Sequence, residues 1–303
     1  MNSIPIILAF NQDFTLPALT TIYSLIQHCS DLRRIEFFIF YDALNPYVMH
    51  LIEKFIHSCG PLVTFIKCST AFEGYNIPTH DPRHPKEVFF PLLIPKYFAS
   101  YDQALFLDSD LFIRDDILTM IDAMPNDKKI GAVKDTYHSH LHTSHIWGFE
   151  DYTRNTLQIR HYENYFNSGV VLFNTKNITT EEAKHCIELI KNQWQSHDES
   201  ILNYLFQDSL HLFPSKWNVN IEYMHLPPEE FRQSFQSDLI EGRQNAAICH
   251  FAGPSKPWQQ QPEYRLLTYY PEYESTWHAL QKRLAPLAAE ILCGSLWDSV
   301  PPK

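Results

Sequence analysis

The first third of the chain alternates between apolar runs of strand length and amphipathic stretches, and its last apolar run stops on two carboxylates. Residues 4–10 are almost continuously apolar, the pattern of a strand buried on both faces. Leu16, Leu19, Ile22, Tyr23 and Ile26 follow at helical spacing. Residues 35–41 give a second strand. Asn45-Pro46 opens a second helix carried by Val48, Leu51, Ile52 and Phe55, and Gly60-Pro61 ends it. Residues 62–66 read as a third strand and 89–98 as a helix interrupted by Pro91 and Pro95. Residues 104–107 form a fourth strand that ends at Asp108. Strand–helix alternation of this kind predicts an α/β fold, a mostly parallel central sheet with helices on both faces. Further on, 169–173 and 246–251 read as strands, and 180–194 and 200–206 as helices. The expected organisation is one catalytic unit over 1–260 and a C-terminal helical or irregular extension over 261–303, rich in Tyr, Pro and Trp.

Charge and cysteine usage narrow the function classes. Twenty-four basic against 35 acidic side chains give a formal net charge of −11. That balance excludes a protein built to grip a nucleic acid backbone and argues against a polybasic membrane binder. The chain lacks an apolar run long enough to span a bilayer. Its first residues have neither the basic region nor the apolar length of a secretory leader. Cys29, Cys59, Cys68, Cys186, Cys249 and Cys293 are scattered without metal spacing, as expected of reduced core residues in a cytoplasmic protein. The Asn177-Ile-Thr sequon is then a chance match.

Four stretches carry chemistry. Asp108-Ser109-Asp110 places two acids beyond the carboxyl end of a buried strand, where open α/β sheets bind ligands. Two such anions need a counter-charge, and a divalent cation with oxygen ligands supplies it. Residues 248–258 place His250 at another strand end, followed by Gly253, Lys256 and Trp258. A lysine there suits phosphate. Phe166-Asn167-Ser168-Gly169 offers an amide and a hydroxyl at the mouth of a strand. Asp198-Glu199 opens a helix, where acids also cap and complement the dipole. Each pattern alone also has a plain structural reading, as an acidic turn, a core-edge histidine or a helix cap.

The ordered set, strand-D-x-D, F-N-S-G, D-E helix and H-x-x-G-x-x-K-P-W, resembles glycosyltransferase family 8 over residues 4–258. These are retaining, metal-dependent enzymes that include bacterial lipopolysaccharide galactosyl- and glucosyltransferases and glycogenin. The resemblance implies a GT-A fold. It implies Mn²⁺, or Mg²⁺, on Asp108, Asp110 and His250, bridging the diphosphate of UDP-glucose or UDP-galactose. Ser109, Gly253 and Lys256 would hold that nucleotide, with Ala9, Asn11 and Phe14 in the segment that cradles uracil. Asp135, Asn167, Asp198 and Glu199 match positions that line the sugar. The implied acceptor is a glycan or lipid-linked glycan, such as a bacterial lipooligosaccharide precursor. That places the protein in the cytoplasm, at the cytosolic face of an inner membrane with at most peripheral contact. A protein acceptor, including self-glucosylation, and a nucleotide-sugar-binding protein without catalysis are the alternatives.

Several residues depart from the family pattern. Glu199 stands where the family commonly has glutamine, so both same-face attack and a covalent intermediate remain open. Asn11-Gln12 replaces an acidic residue near the uracil. Phe89-Phe90-Pro91-Leu92 lacks an arginine expected near the donor, for which Lys86 and Arg83 are substitutes. His138, His140, His142 and His145 alternate in a way that could gather imidazoles on one side of an extended segment. Trp147, Phe149, Tyr152 and Tyr162 suit an acceptor wall or the core. The tail has four basic residues (Arg265, Lys282, Arg283, Lys303) against five acidic ones (Glu263, Glu272, Glu274, Glu290, Asp298). It gives no electrostatic pull toward a membrane.

Overall fold

A computed structural model describes residues 3–75, 77, 86–138, 140–141, 148–253, 256–258, 275 and 282. The expected extension over 261–303 therefore lies almost wholly outside the described residues. In chain order come β1 (Ile4–Ala9), α1 (Thr15–His28), β2 (Ile35–Tyr41), α2 (Pro46–Ser58), β3 (Val63–Lys67), α3 (Ile94–Tyr97) and β4 (Ala104–Leu107). They are followed by β5 (Leu111–Ile113), α4 (Ile117–Asp122), β6 (Ile130–Lys134), α5 (Phe149–Asp151) and β7 (Phe166–Phe173). The last elements are α6 (Thr180–Glu188), α7 (His197–Phe206), β8 (Leu210–Phe213), β9 (Val219–Asn220), α8 (Gln233–Gln244) and β10 (Ile248–His250).

Among the described residues the strands form a seven-stranded sheet, β3-β2-β1-β4-β7-β6-β8, and a three-stranded sheet, β5-β10-β9. β3, β2, β1 and β4 are mutually parallel, as the alternation predicts. β7 runs antiparallel to both β4 and β6. Both faces of the large sheet are covered. Ile6 and Leu8 of β1 enter one apolar cluster with α1 and α2, and Ile7 enters the other with Phe40, Phe90 and Phe98. That two-sided burial is why β1 is apolar at successive positions.

Local chemistry sets the boundaries. Asn45 caps α2 by accepting the Tyr47 N–H at 2.8 Å, with Pro46 at the first helical position. The helix expected over 89–98 is a 3₁₀ stretch, Lys86–Leu93, followed by the single α turn of α3. Pro91 and Pro95 remove the donors that a continuous α-helix would use. The helix expected over 180–194 changes to 3₁₀ after Glu188 and stops at Gln193, which adopts φ +50. α7 begins at His197, three residues before the expected start. Cys68, Cys186 and Cys249 are buried and Cys29 and Cys59 half-buried, all as free thiols. No helix among the described residues is long and apolar enough to cross a membrane.

β5 has no pattern of its own and is held by a helix. The Thr21 hydroxyl donates to the Leu111 carbonyl at 2.8 Å and accepts the Leu111 N–H at 3.1 Å. The Ser24 hydroxyl accepts the Ile113 N–H at 3.0 Å. Two α1 side chains thus replace a strand neighbour along the segment that leaves Asp110. Thr21→Val keeps the shape and orphans two buried backbone groups. It is expected to lower the unfolding free energy by about 2 kcal/mol or more, whereas Thr21→Ser stays near wild type. Urea denaturation at neutral pH checks this, and equal midpoints for all three proteins would show that β5 does not depend on these hydroxyls.

Candidate active site

β4 ends at Leu107, and the next three residues turn the chain into β5 with both acids projecting from the sheet edge. The Asp108 N–H donates to the Gly169 carbonyl at 2.8 Å, and the Ser109 hydroxyl to the Ala9 carbonyl at 3.0 Å. β10 pairs with β5 so that His250 stands opposite Leu111. Its Nε2 lies 3.5 Å from Asp108 Oδ2 and 3.3 Å from Asp110 Oδ1. The ligand atoms of Asp108, Asp110 and His250 all fall within 4.8 Å of one another. Lys256 Nζ is 2.7 Å from Asp110 Oδ2 and donates to the Phe251 carbonyl at 2.7 Å.

Charge is concentrated here. Desolvation and the Asp110 charge push Asp108 up to about 6, against the pull of His250 and Lys256. Burial works against ionised Asp110 too, but Lys256 and His250 outweigh it and hold its carboxyl below the usual range. Burial disfavours the His250 imidazolium, and Asp110 more than offsets that, so its pKa is raised. His250 Nδ1 hydrogen-bonds Asn218 Oδ1 at 2.9 Å, which turns Nε2 toward the acids. Two carboxylates and one imidazole fit Mn²⁺ or Mg²⁺. Gly169 forms the floor: a Cβ there would come within 2.5 Å of His250 Cε1 and 2.6 Å of Asp108 Oδ2.

The expected nucleotide residues converge beside this set. Asn11 accepts the Phe14 N–H at 3.3 Å and caps a short 3₁₀ turn. The Phe14 ring meets Trp258 edge-on at 6.0 Å. Lys256 lies 5.9 Å from the same indole, so the first and last motifs share one surface. Gly253 has φ +95, a left-handed conformation that suits glycine, and packs against the Glu222 carboxylate. Lys86 pairs with Asp42 at 3.1 Å, at the carboxyl end of β2. Arg83 lies outside the described residues.

The opposite wall comes from α7, β7 and the segment after β6. Asp198 does not cap α7: Ser196 occupies that position, without a side-chain cap. His197 takes φ +46, a strained conformation, and Asp198 and Glu199 turn inward, 5% and 7% exposed. Asn203 ties α7 to β7 by accepting the Phe166 N–H at 3.0 Å and donating to the Phe166 carbonyl at 2.8 Å. Glu199 Oε2 accepts from Asn167 Nδ2 at 3.0 Å and from the Ser168 N–H at 3.2 Å. Asn167 Oδ1 in turn accepts from Asn218 Nδ2 at 2.9 Å. Asn167 and Asn218 therefore link Glu199 to His250.

Burial and Asp135 push Glu199 up to about 7, although His138 pulls it down. Burial, Glu199 and Asp108 raise Asp198 well above the ordinary carboxyl value. Asp135 is buried yet depressed, because His138 lies against it. Lys134, Asp135, Thr136, Asn167, Asn218, Asn220 and His250 line a shallow cleft between the walls.

The structure brings Asp108, Asp110 and His250 together on one wall and Asp135, Asn167, Asp198 and Glu199 on the other, with Phe14 and Lys256 meeting Trp258 alongside. Asn218 and Gly169's packing role had no sequence signal. The two described histidines of the alternating set part: His138 turns to Asp135 and Glu199, and His140 stacks on Phe235 at 3.9 Å. His142, His145 and Trp147 lie outside the described residues. Phe149, Tyr152 and Tyr162 are buried, so they serve the core.

The profile described as "Glycosyl transferase family 8" matches residues 5–261. The chain is 27% identical over 266 residues to glycosyltransferase GlyA of Streptococcus pneumoniae, covering 84% of this chain and 32% of that protein. It is 21% identical to General stress protein A of Bacillus subtilis, covering 83% and 86%. It is 23% identical over 197 residues to lipopolysaccharide 1,3-galactosyltransferase of Salmonella typhimurium, covering 62% and 53%. It thus spans about a third of GlyA and about half of the Salmonella enzyme. Two solved structures share its fold. The bifunctional glycosyltransferase WbbM superposes with TM-score 0.73 at 19% identity, covering 91% of this chain and 51% of that one. The galactosyltransferase LgtC, solved with donor and acceptor sugar analogs, gives 0.69 at 20% identity, covering 91% and 96%. The chain belongs to glycosyltransferase family 8 and has the GT-A fold.

Proposed function

We propose that this chain moves glucose or galactose from a uridine diphosphate sugar to a hydroxyl of a glycan or lipid-linked glycan, with retention at the anomeric carbon. The observation that carries the reading is the convergence of Asp108, Asp110 and His250 within 4.8 Å, with Lys256 beside them. These residues would hold Mn²⁺ or Mg²⁺, which when bound neutralises charge on the departing diphosphate. The glycan acceptor is supported by the description of the Salmonella relative as a lipopolysaccharide galactosyltransferase.

The chain's own groups divide the remaining work. Lys256 places a point charge at the diphosphate, and Gly253 leaves its backbone open there. Asn11, Phe14 and Trp258 offer amide and aromatic surface to the base, with Ala9 and Ser109 holding the segment in place. Asp135, Asn167 and Asp198 line the hexose, where their polar groups can hydrogen-bond its hydroxyls. Glu199 faces the anomeric centre with one oxygen fixed by Asn167 and Ser168. An anion there either stabilises a developing oxocarbenium during same-face attack or attacks the carbon itself.

Thermal unfolding with UDP, UDP-glucose, UDP-galactose, UDP-N-acetylglucosamine and GDP-sugars, with and without Mn²⁺, tests the donor site. At 100-fold above Kd the gain is about 2.7 kcal/mol, enough for a shift of several degrees that needs Mn²⁺. Asp110→Asn and His250→Ala are expected to remove the Mn²⁺-dependent part, and Gly169→Ala to weaken it about tenfold by prising His250 from Asp108. The absence of a shift with every uridine nucleotide would withdraw the donor assignment. Glu199→Gln is expected to cost about 10²-fold or more in kcat with donor affinity nearly unchanged. Transfer at near wild-type rate would mean that the side chain only positions the donor.

A further inference from the structure

The two oxygens of Glu199 are treated differently. Oε2 is held by Asn167 and Ser168, whereas Oε1 is buried without a hydrogen-bond partner. A buried carboxylate oxygen left that way favours protonation unless a cation stands nearby. A base stands there: His138 Nδ1, itself buried without a hydrogen bond, lies 3.8 Å from Glu199 Oε1 and 3.3 Å from Asp135 Oδ1. The Asp135 carboxylate also accepts the His138 backbone N–H. The ring is clamped as well. It stacks on Phe149 at 4.1 Å with planes 19° apart and meets the Tyr165 ring edge-on at 6.3 Å.

We propose that His138 is a positioning residue: as an imidazolium between Asp135 and Glu199 it keeps the Glu199 carboxylate ionised, with its unbonded oxygen presented to the donor sugar. The orientation toward donor rests on the reading given under Proposed function; the pairing with Glu199 stands on the geometry alone. Asp135 and Tyr137 face the ring from its own segment, Tyr165 from the residue before β7, and Glu199 from α7. Tyr223 stacks on Tyr137 at 5.0 Å. The three phenols are all pushed up by burial and stay neutral, so His138 is opposed by carboxylates alone. Burial lowers the imidazolium's stability, but Asp135 and Glu199 outweigh it and lift His138 to about 9. Its neighbour His140 is no substitute, since burial and Lys134 lower it to about 4.

Two readouts test the role. In the free protein, the His138 ring resonance, assigned by its loss in His138→Gln, should titrate at least one unit above an ordinary histidine. In Glu199→Gln the midpoint should fall by half a unit or more. A midpoint near the ordinary value, or one indifferent to Glu199→Gln, overturns the pairing. The second readout is Mn²⁺-dependent release of UDP from UDP-glucose and UDP-galactose into water between pH 5.5 and 9.5. Without the imidazolium Glu199 protonates more readily, so the acidic limb of kcat should move upward by about one unit in His138→Gln. At neutral pH kcat should fall about tenfold or more, with KM for donor within about threefold. His138→Asn, checked for an unchanged unfolding midpoint, should behave alike. The His138→Gln/Glu199→Gln double variant should be no slower than Glu199→Gln alone. An unmoved limb with unchanged kcat in both His138 variants overturns the proposal. Failure of the wild-type protein to bind or turn over either donor refutes the donor reading and the role in transfer with it, while the resonance titration still decides the pairing.

Discussion

Asp108 and Asp110 meet at one end of the site and Asp135, Asp198 and Glu199 at the other, and gathering anions where most are buried is costly. Among the described residues, Lys256 and His250 stand within ion-pairing reach of Asp110, and His138 of Asp135 and Glu199. The deficit is resolved differently on the two walls. On one wall, burial together with Glu199 and Asp108 raises Asp198, which disfavours a second anion beside Glu199. Asp108 remains an under-compensated acid at the floor, beside an imidazole nitrogen turned toward it. That is the electrostatic situation a divalent cation relieves.

The two walls are mechanically coupled. His250, Asn218, Asn167 and Glu199 form a continuous series of hydrogen bonds, 2.9, 2.9 and 3.0 Å long. Each amide spends its oxygen in one direction and its nitrogen in the other, so the orientation of one side chain sets the next. Gly169 completes the joint. Any side chain there would enter the space shared by His250, Asp108 and Asn167. The β7 backbone therefore runs directly beneath both walls, and the F-N-S-G stretch works as much by what it omits as by its amide.

What was legible in the sequence followed periodicity and strand ends. β1 to β4 with their helices showed as apolar runs because both sheet faces are buried, and Asp108, Asp110 and His250 showed because they terminate such runs. Other features left no local trace. β5 is short and is satisfied by Thr21 and Ser24, hydroxyls 90 and 89 residues away. β7 is antiparallel, which no pattern within its own residues encodes. The phase of α7 turned on His197 accepting a strained φ, so an acid pair that looked like ordinary helix-start chemistry faces inward instead. Asn218 and His138 gain their roles wholly from partners distant in the chain. His138 was visible as one of four alternating histidines, but spacing could not tell that His140 would turn the other way to stack on Phe235.

A carboxylate at position 199, where the family resemblance leads one to expect an amide, has consequences beyond one side chain. A neutral amide at that position could share its hydrogen bonds with Asn167 and Ser168 and would leave Asp135 as the nearest anion. A carboxylate adds a second charge to the same wall, and the wall then needs a base close to both acids. His138, stacked on Phe149 and set between Asp135 and Glu199, meets that need, so acid and base form one unit rather than two independent departures. On the proposed reading the donor bond lies between two oppositely prepared surfaces. Lys256 and the Asp108–Asp110–His250 set stand where the diphosphate gathers negative charge, and Glu199 stands where the sugar becomes electron-poor. With a cation held by that set, charge separation along the breaking bond would run with the field of the cleft, and the side chains that hold the cation and Glu199 are already fixed by one another.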